Sequence, residues 1–259
     1  MPPIAGGAGV ALDHALGVSV VTSSHTASIT SSNAVPTTEL VIGFGGNKQN
    51  VNITGQSLAD NASNVYTTGV AYSTSTGNAW GLIVASNITT ALTTSSTLTY
   101  TTTGTGILAT YQPAVAAASF TGCSLTAAAS AYASASNTGT SAAASVTSGS
   151  VNANDLAVLL VFAGNQSNTP STPAGWSVIE DPVPGGTFEF GAFYMVPSST
   201  GTLSPSSTVS GTTIPWTAMI VAFPAAPPLS LSIGSATDST TTGESIPAIP
   251  LPGPISVTN

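Results

Sequence analysis

The sequence predicts an all-β protein built as two tandem antiparallel β-sandwich or jelly-roll-like domains with extended terminal arms. Three observations predict it. Short apolar or alternating runs recur between Gly, Asn, Ser and Pro, helix signals are scarce, and three blocks of the first half return in the same order in the second.

The strands follow in order: "LGVSVV" from Leu16, "ELVIGFG" from Glu39, "TTGVAYS" from Thr67, "GLIVAS" from Gly81, "STLTYTT" from Ser96 and "GILATY" from Gly106. The residues between them supply turns by known backbone mechanisms. In "STLTYTT", Leu98 and Tyr100 share one face and Thr97, Thr99 and Thr101 the other, the alternation of a half-buried strand. From Leu156 to Phe162 the run "LAVLLVF" is apolar on both faces, so it is expected to lie centrally and be covered twice.

Repetition organises the chain. "ITSSNAVPTTELVIGFGG" from Ile29 matches "VTSGSVNANDLAVLLVFAG" from Val146, which sets Glu39 beside Asp155 and Leu40 beside Leu156. "TTGVAYSTSTG" from Thr67 parallels "EFGAFYMVPSSTG" from Glu189, pairing Tyr72 with Tyr194, and "GTGILATYQPA" from Gly104 parallels "IPWTAMIVAFPAA" from Ile214. The expected division is an N-terminal arm at 1–13, a first sandwich at 14–113, a hinge at 114–120, a second sandwich at 121–224 and a Pro/Ser/Thr-rich C-terminal arm at 225–259. The Ala/Ser segment from Leu125 has helical composition, yet it occupies the place of the opening strands of the first repeat and is read as strand. The prolines after Phe223 forbid a regular central strand, and Pro227, Pro228 and Pro250 are candidate turn or attachment anchors in an arm laid over a neighbouring subunit.

Charge narrows the function. Only 4% of the residues are charged, with one Lys or Arg against nine Asp or Glu and a formal net charge of -8. So few cations cannot displace counterions from a phosphate backbone or bind an anionic membrane surface, so no nucleic-acid and no membrane partner is expected. Faces rich in Ala and hydroxyls suit packing against other copies, since they bury no unpaired charge. The start, "MPPIAGGAGVALDHALGVSVV", lacks the basic segment of a signal peptide, and no run reaches the roughly 18 apolar residues of a spanning helix.

No residue set predicts catalysis, and no cofactor or metal is expected. Cys123 is the only cysteine and has no imidazole close in sequence, so it reads as a small buried hydrophobe. His14 and His25 lack metal-ligand spacing, "GFGGNK" at Gly43 lacks the phosphate-loop pattern, and "VTSGS" at Val146 lacks that of a nucleophile elbow. Glu39 and Asp155 precede the same element in two repeats and are expected as solvent-facing markers of a strand start rather than as a catalytic pair. Glu180, Asp181 and Glu189 offer carboxylates for Ca²⁺ without an ordered spacing. Asn52, Asn61, Asn87 and Asn165 stand in glycosylation frames that matter only in a glycosylating pathway. In "TPAGWSVIEDP", Pro173 and Gly175 shape a turn that delivers Trp176 as a large anchor. Trp176 and Trp216 are candidate attachment or turn anchors, and scattered Trp leaves carbohydrate binding as a distant alternative.

The blocks "NDLAVLLVFAGNQSNTPSTPAGWSVIEDP", "FEFGAFYMV" and "WTAMIVAFPAA" together resemble β-sandwich modules of phage virion proteins, of the tail-associated and capsid decoration or cement type. The resemblance covers about residues 145–224, and the first repeat lacks both the PAGW turn and the closing Trp. It implies a non-enzymatic protein at the virion surface that binds other copies and a major capsid or tail protein. The alternative is an extracellular filament or cell-surface layer subunit joined by a donated strand.

Overall fold

A computed structural model of the chain describes residues 9–48, 52–72, 80–105, 112–125, 131–163, 170–180, 189–209 and 215–227. The chain divides into two units, Met1–Pro228 and Leu229–Asn259, and all described residues belong to the first.

The fold is all-β with several antiparallel sheets. The first half supplies β1 (Ala11–Val20), β2 (Thr26–Thr30), β3 (Leu40–Lys48), β4 (Asn52–Asp60), β5 (Thr67–Tyr72), β6 (Trp80–Asn87), β7 (Thr97–Thr105) and β8 (Gln112–Thr121). The second supplies β9 (Tyr132–Gly139), β10 (Ala143–Ser145), β11 (Ser150–Val151), β12 (Leu156–Ala163), β13 (Ser177–Glu180), β14 (Glu189–Met195), β15 (Gly201–Thr202), β16 (Ser206–Thr208) and β17 (Trp216–Phe223).

Two five-stranded sheets have the same topology. One runs β1-β8-β3-β6-β5; the other, read from its β9 edge, runs β9-β17-β12-β14-β13. The registers agree as well, for Leu40 at the start of β3 stands opposite Phe120, and Leu156 at the start of β12 stands opposite Phe223. The outer layers also correspond. β2 pairs with β7 as β10 pairs with β16, and the isolated Val35–Leu92 bridge holds the place of the β11–β15 pair. The first half adds β4 on the far side of β7; among the described residues of the second half, Ser171 holds that place, its backbone N–H donating to Thr208 O at 3.0 Å.

Alternation along the central strands explains the layering. Leu156, Val158, Leu160 and Phe162 join Leu40, Ile42, Phe44, Ala116 and Phe120 in one core shared by the two large sheets. Ala157, Leu159, Val161 and Ala163 point to a second core with Trp176 and Trp216. β12 is therefore covered on both faces, as its continuous apolar run predicts. A third core lies between the first large sheet and β2-β7-β4, with Val41, Leu58, Leu98 and Tyr100. Across the shared core β1 lies against β13 and β5 against β9, so equivalent strands exchange partners about an internal two-fold relation.

Three expectations change. Residues 114–120 are no hinge: they form the buried body of β8, hydrogen-bonded to β1 on one side and β3 on the other. Alternate small residues there, Ala114, Ala116 and Ala118 toward the shared core and Val115 and Ala117 away from it, permit close approach from both faces. Residues 11–13, assigned to an arm, are already part of β1. The second and third block matches also shift. Tyr72 ends the edge strand β5, whereas Tyr194 lies in the inner strand β14, whose equivalent is β6; Gly104 lies in β7, and the equivalent of β17 is β8. The Ala/Ser segment forms strands β9 and β10 where described, in the places of β1 and β2. "GILATY", Pro228, Pro250 and the arm beyond Pro227 lie outside the described residues.

Candidate functional site

A buried acidic residue stands immediately before each of the two central strands, β3 and β12. Each is preceded by a tight turn, closed by Glu39 N–H to Pro36 O at 3.3 Å and by Asp155 N–H to Asn152 O at 3.4 Å. Contrary to the expected solvent-facing position, both carboxylates are buried, with Glu39 4% and Asp155 6% exposed. The turns tuck them under neighbouring strands instead of releasing them to water.

Asp155 is fully engaged. Its Oδ1 accepts the Ala225 N–H at 2.7 Å, and its Oδ2 accepts the Asn152 side-chain amide at 3.1 Å and the Tyr132 hydroxyl. Tyr132 Oη in turn accepts the Asn152 backbone N–H at 3.0 Å. One carboxylate thus ties together the start of β12, the start of β9 and the exit from β17. The Cys123–Ala225 bridge, with Ser124 N–H to Pro224 O at 2.8 Å, closes the same knot. Burial, followed by the hydrogen bond to Asp155, pushes the Tyr132 hydroxyl up to about 12. Burial and the Asp155 charge push the Cys123 thiol up to about 12, so it is held as a thiol, the opposite of an activated nucleophile.

Glu39 has a different environment. Its Oε2 is buried without a hydrogen-bond partner, and so is the nearby Ser119 hydroxyl, which stands one strand away on β8 opposite Val41. Burial raises its pKa above the ordinary carboxylate value, Ser119 opposes the rise, and Asp13 adds to it. His14 Nε2 lies 3.3 Å from Asp13 Oδ2.

The remaining candidates are structural. Trp176 sits in the PAGW turn as expected, with its N–H donating to Pro173 O at 3.1 Å and Gly175 at φ 79°, but its ring is packed into the core rather than offered for attachment. Trp216 is equally buried, and its indole Nε1–H donates to Ser141 O at 2.9 Å. Of the proline anchors, Pro227 is described and exposed. Asp181 lies outside the described residues. Among the described residues no three His, Cys, Asp or Glu side chains converge as metal ligands.

A cleft of about 200 Å³ lies between β4, β5 and β6, lined by Ile53, Gln56, Thr68, Ala71 and Leu82 among others. Gln56 is already committed there, accepting the Tyr100 hydroxyl at 2.6 Å and donating to Tyr72 O at 3.2 Å. The lining holds no acid, base or nucleophile stronger than a threonine hydroxyl. The sequence pointed to Glu39 and Asp155 as a matched pair, but gave no sign of Asp13, Ser119 or Tyr132 as their neighbours. The repeat register carries the one usable signal, since it aligns β9 with β1. Comparison with family models, curated proteins and solved structures returns no match to this chain.

Proposed function

We propose that this protein is a non-enzymatic structural subunit of a virion surface, a capsid decoration, cement or tail-associated component that assembles with other copies and with a major capsid or tail protein. We read its halves as two related β-sandwich modules fused through a shared core. The observation that carries the assembly reading is the outermost sheet face. Thr26, Ser28 and Thr30 on β2 are exposed, Thr97, Thr99 and Thr101 on β7 are half-exposed, and cross-strand hydroxyl pairs such as Ser28–Thr99 at 2.8 Å hold them in register. Such a face is stiff at χ1, uncharged and rich in hydrogen-bonding groups, suited to broad repeated contact rather than to turnover. Repetition over many copies would turn weak individual contacts into firm attachment.

The virion assignment rests on the resemblance of residues 145–224 to phage modules. A carbohydrate-binding reading loses its main support, because Trp176 and Trp216 lie in the core. Mass spectrometry of purified particles, paired with imaging after selective removal of the protein, tests the proposal. Stoichiometric presence with altered particle stability on removal is expected; consistent absence from intact particles overturns it.

A further inference from the structure

We propose that Asn64 and Thr89 form an intramolecular ester, in which Thr89 Oγ1 replaces the Asn64 side-chain nitrogen and ties the turn after β4 to the turn after β6. This inference is independent of the virion assignment.

Two turns meet at one side-chain amide. β4 ends at Asp60, whose Oδ1 accepts the backbone N–H groups of Ala62 at 2.9 Å and Asn64 at 3.1 Å, winding the chain into a compact loop with Ser63 at φ 65°. The loop sends the Asn64 side chain, 6% exposed, to the turn that follows β6. There its Oδ1 accepts the backbone N–H groups of Thr89 and Thr90, both at 2.9 Å, and the Thr89 hydroxyl at 3.2 Å.

A carbonyl oxygen has two lone pairs. The two N–H groups fill them, so the longer hydroxyl contact is a third donor beyond that capacity. That hydroxyl is weakly held and can turn its proton aside, presenting a lone pair to the carbonyl carbon. Two backbone N–H groups converging on one carbonyl oxygen are also the arrangement that stabilises the oxyanion of an acyl transfer. The nitrogen is equally placed: Asn64 Nδ2 donates to Asp60 Oδ2 at 2.9 Å and to Thr90 O at 3.0 Å, and the Tyr66 hydroxyl donates to the same Asp60 Oδ2 at 2.9 Å. Burial, followed by the Asp60 charge, raises the Tyr66 pKa, so the phenol keeps its proton and holds that oxygen in position.

The step is an acyl transfer without oxidation or reduction. The bond from Thr89 Oγ1 to Asn64 Cγ forms, the Asn64 Cγ–Nδ2 bond breaks, and the hydroxyl proton leaves on the nitrogen as ammonia. Asp60 Oδ2, already hydrogen-bonded to that nitrogen, is placed to deliver the proton. Thr89 is exposed, which gives the released ammonia a way out to solvent. The product closes a loop across the 25 positions from Asn64 to Thr89 and fastens β4 of the outer sheet to β6 of the large one. With Cys123 its only cysteine, the chain cannot make such a closure through an internal disulfide.

Mass spectrometry of the intact, denatured chain tests the bond. The native protein should be lighter than its sequence by one ammonia, and mild alkaline hydroxylamine should open the ester and remove the deficit. Peptic digestion in acid, which the ester survives and which suits a chain with one Lys or Arg, should yield a branched peptide joining Asn64 to Thr89. Thr89→Val, which keeps the backbone N–H and removes the nucleophile, should have the full sequence mass. Thr89→Ser, which restores a hydroxyl, should recover the deficit and so separates a lost nucleophile from a lost fold. A native chain of full sequence mass, a deficit that persists in Thr89→Val or is missing from Thr89→Ser, or a deficit mapped to a cyclic imide at another asparagine overturns the proposal.

Discussion

Phe120 and Tyr194 meet edge to face across the shared core, with ring centroids 5.5 Å apart and 69° between their planes. One residue belongs to β8 and the other to β14, so the contact joins the two halves of the chain. Phe120→Ala should cost about 3–5 kcal/mol through lost burial and the cavity left behind. Because both large sheets share that core, denaturant unfolding followed by tryptophan fluorescence and by far-UV circular dichroism should still give coincident transitions. Separate transitions would mean that the halves hold independent cores.

Asp155→Asn preserves shape but turns one acceptor into a donor facing groups that already donate. Loss of a charged hydrogen bond costs about 1.5–3 kcal/mol, and Asp155 accepts from Tyr132, Asn152 and Ala225. A destabilisation in that range is expected from the urea midpoint, together with faster hydrogen exchange at Ala225.

Cys123 should resist thiol reagents in the native state at about pH 8 and react fully once the chain is unfolded. Its thiol is shifted from 9.0 to about 12, so the corresponding stability is present below the free-thiol value and disappears as pH rises toward about 12. Absorbance-monitored titration with a disulfide reagent, with and without denaturant, measures this directly. Rapid native-state labelling would contradict the closed knot around Asp155.

Gly45 faces the ring of Tyr100, and a Cβ built there lies 2.3 Å from the ring's Cδ2. Gly43 is similar, with Leu58 Cδ1 2.7 Å from the added carbon. Gly45→Ala should therefore cost about 1–3 kcal/mol by overpacking. Gly201→Ala, with no atom within 4 Å of the added carbon, should be near neutral when the two variants are compared by thermal melting.

What could be read from the sequence divides along physical lines. The β12 run was legible because both of its faces are apolar, and the Ala/Ser segment was legible only through its place in the repeat. β8 was missed because Gln-Pro followed by small residues resembles a connector. Its alanines instead make room for neighbours on both faces, information held by β1 and β3 rather than by β8 itself. The burial of Glu39 and Asp155 was equally hidden. Their neighbours come from Asp13, Ser119, Tyr132 and Ala225, which are brought together only by the strand order. The second repeat block was misaligned because a shared tyrosine outweighed the position of each strand in its sheet.

The contacts of β1 with β13 and of β5 with β9 join the two large sheets within a single chain. Its halves meet at a local concentration set by their covalent connection, not by the amount of protein in solution. Association of the two halves should therefore be unaffected by dilution, unlike that of an obligate pair of separate chains.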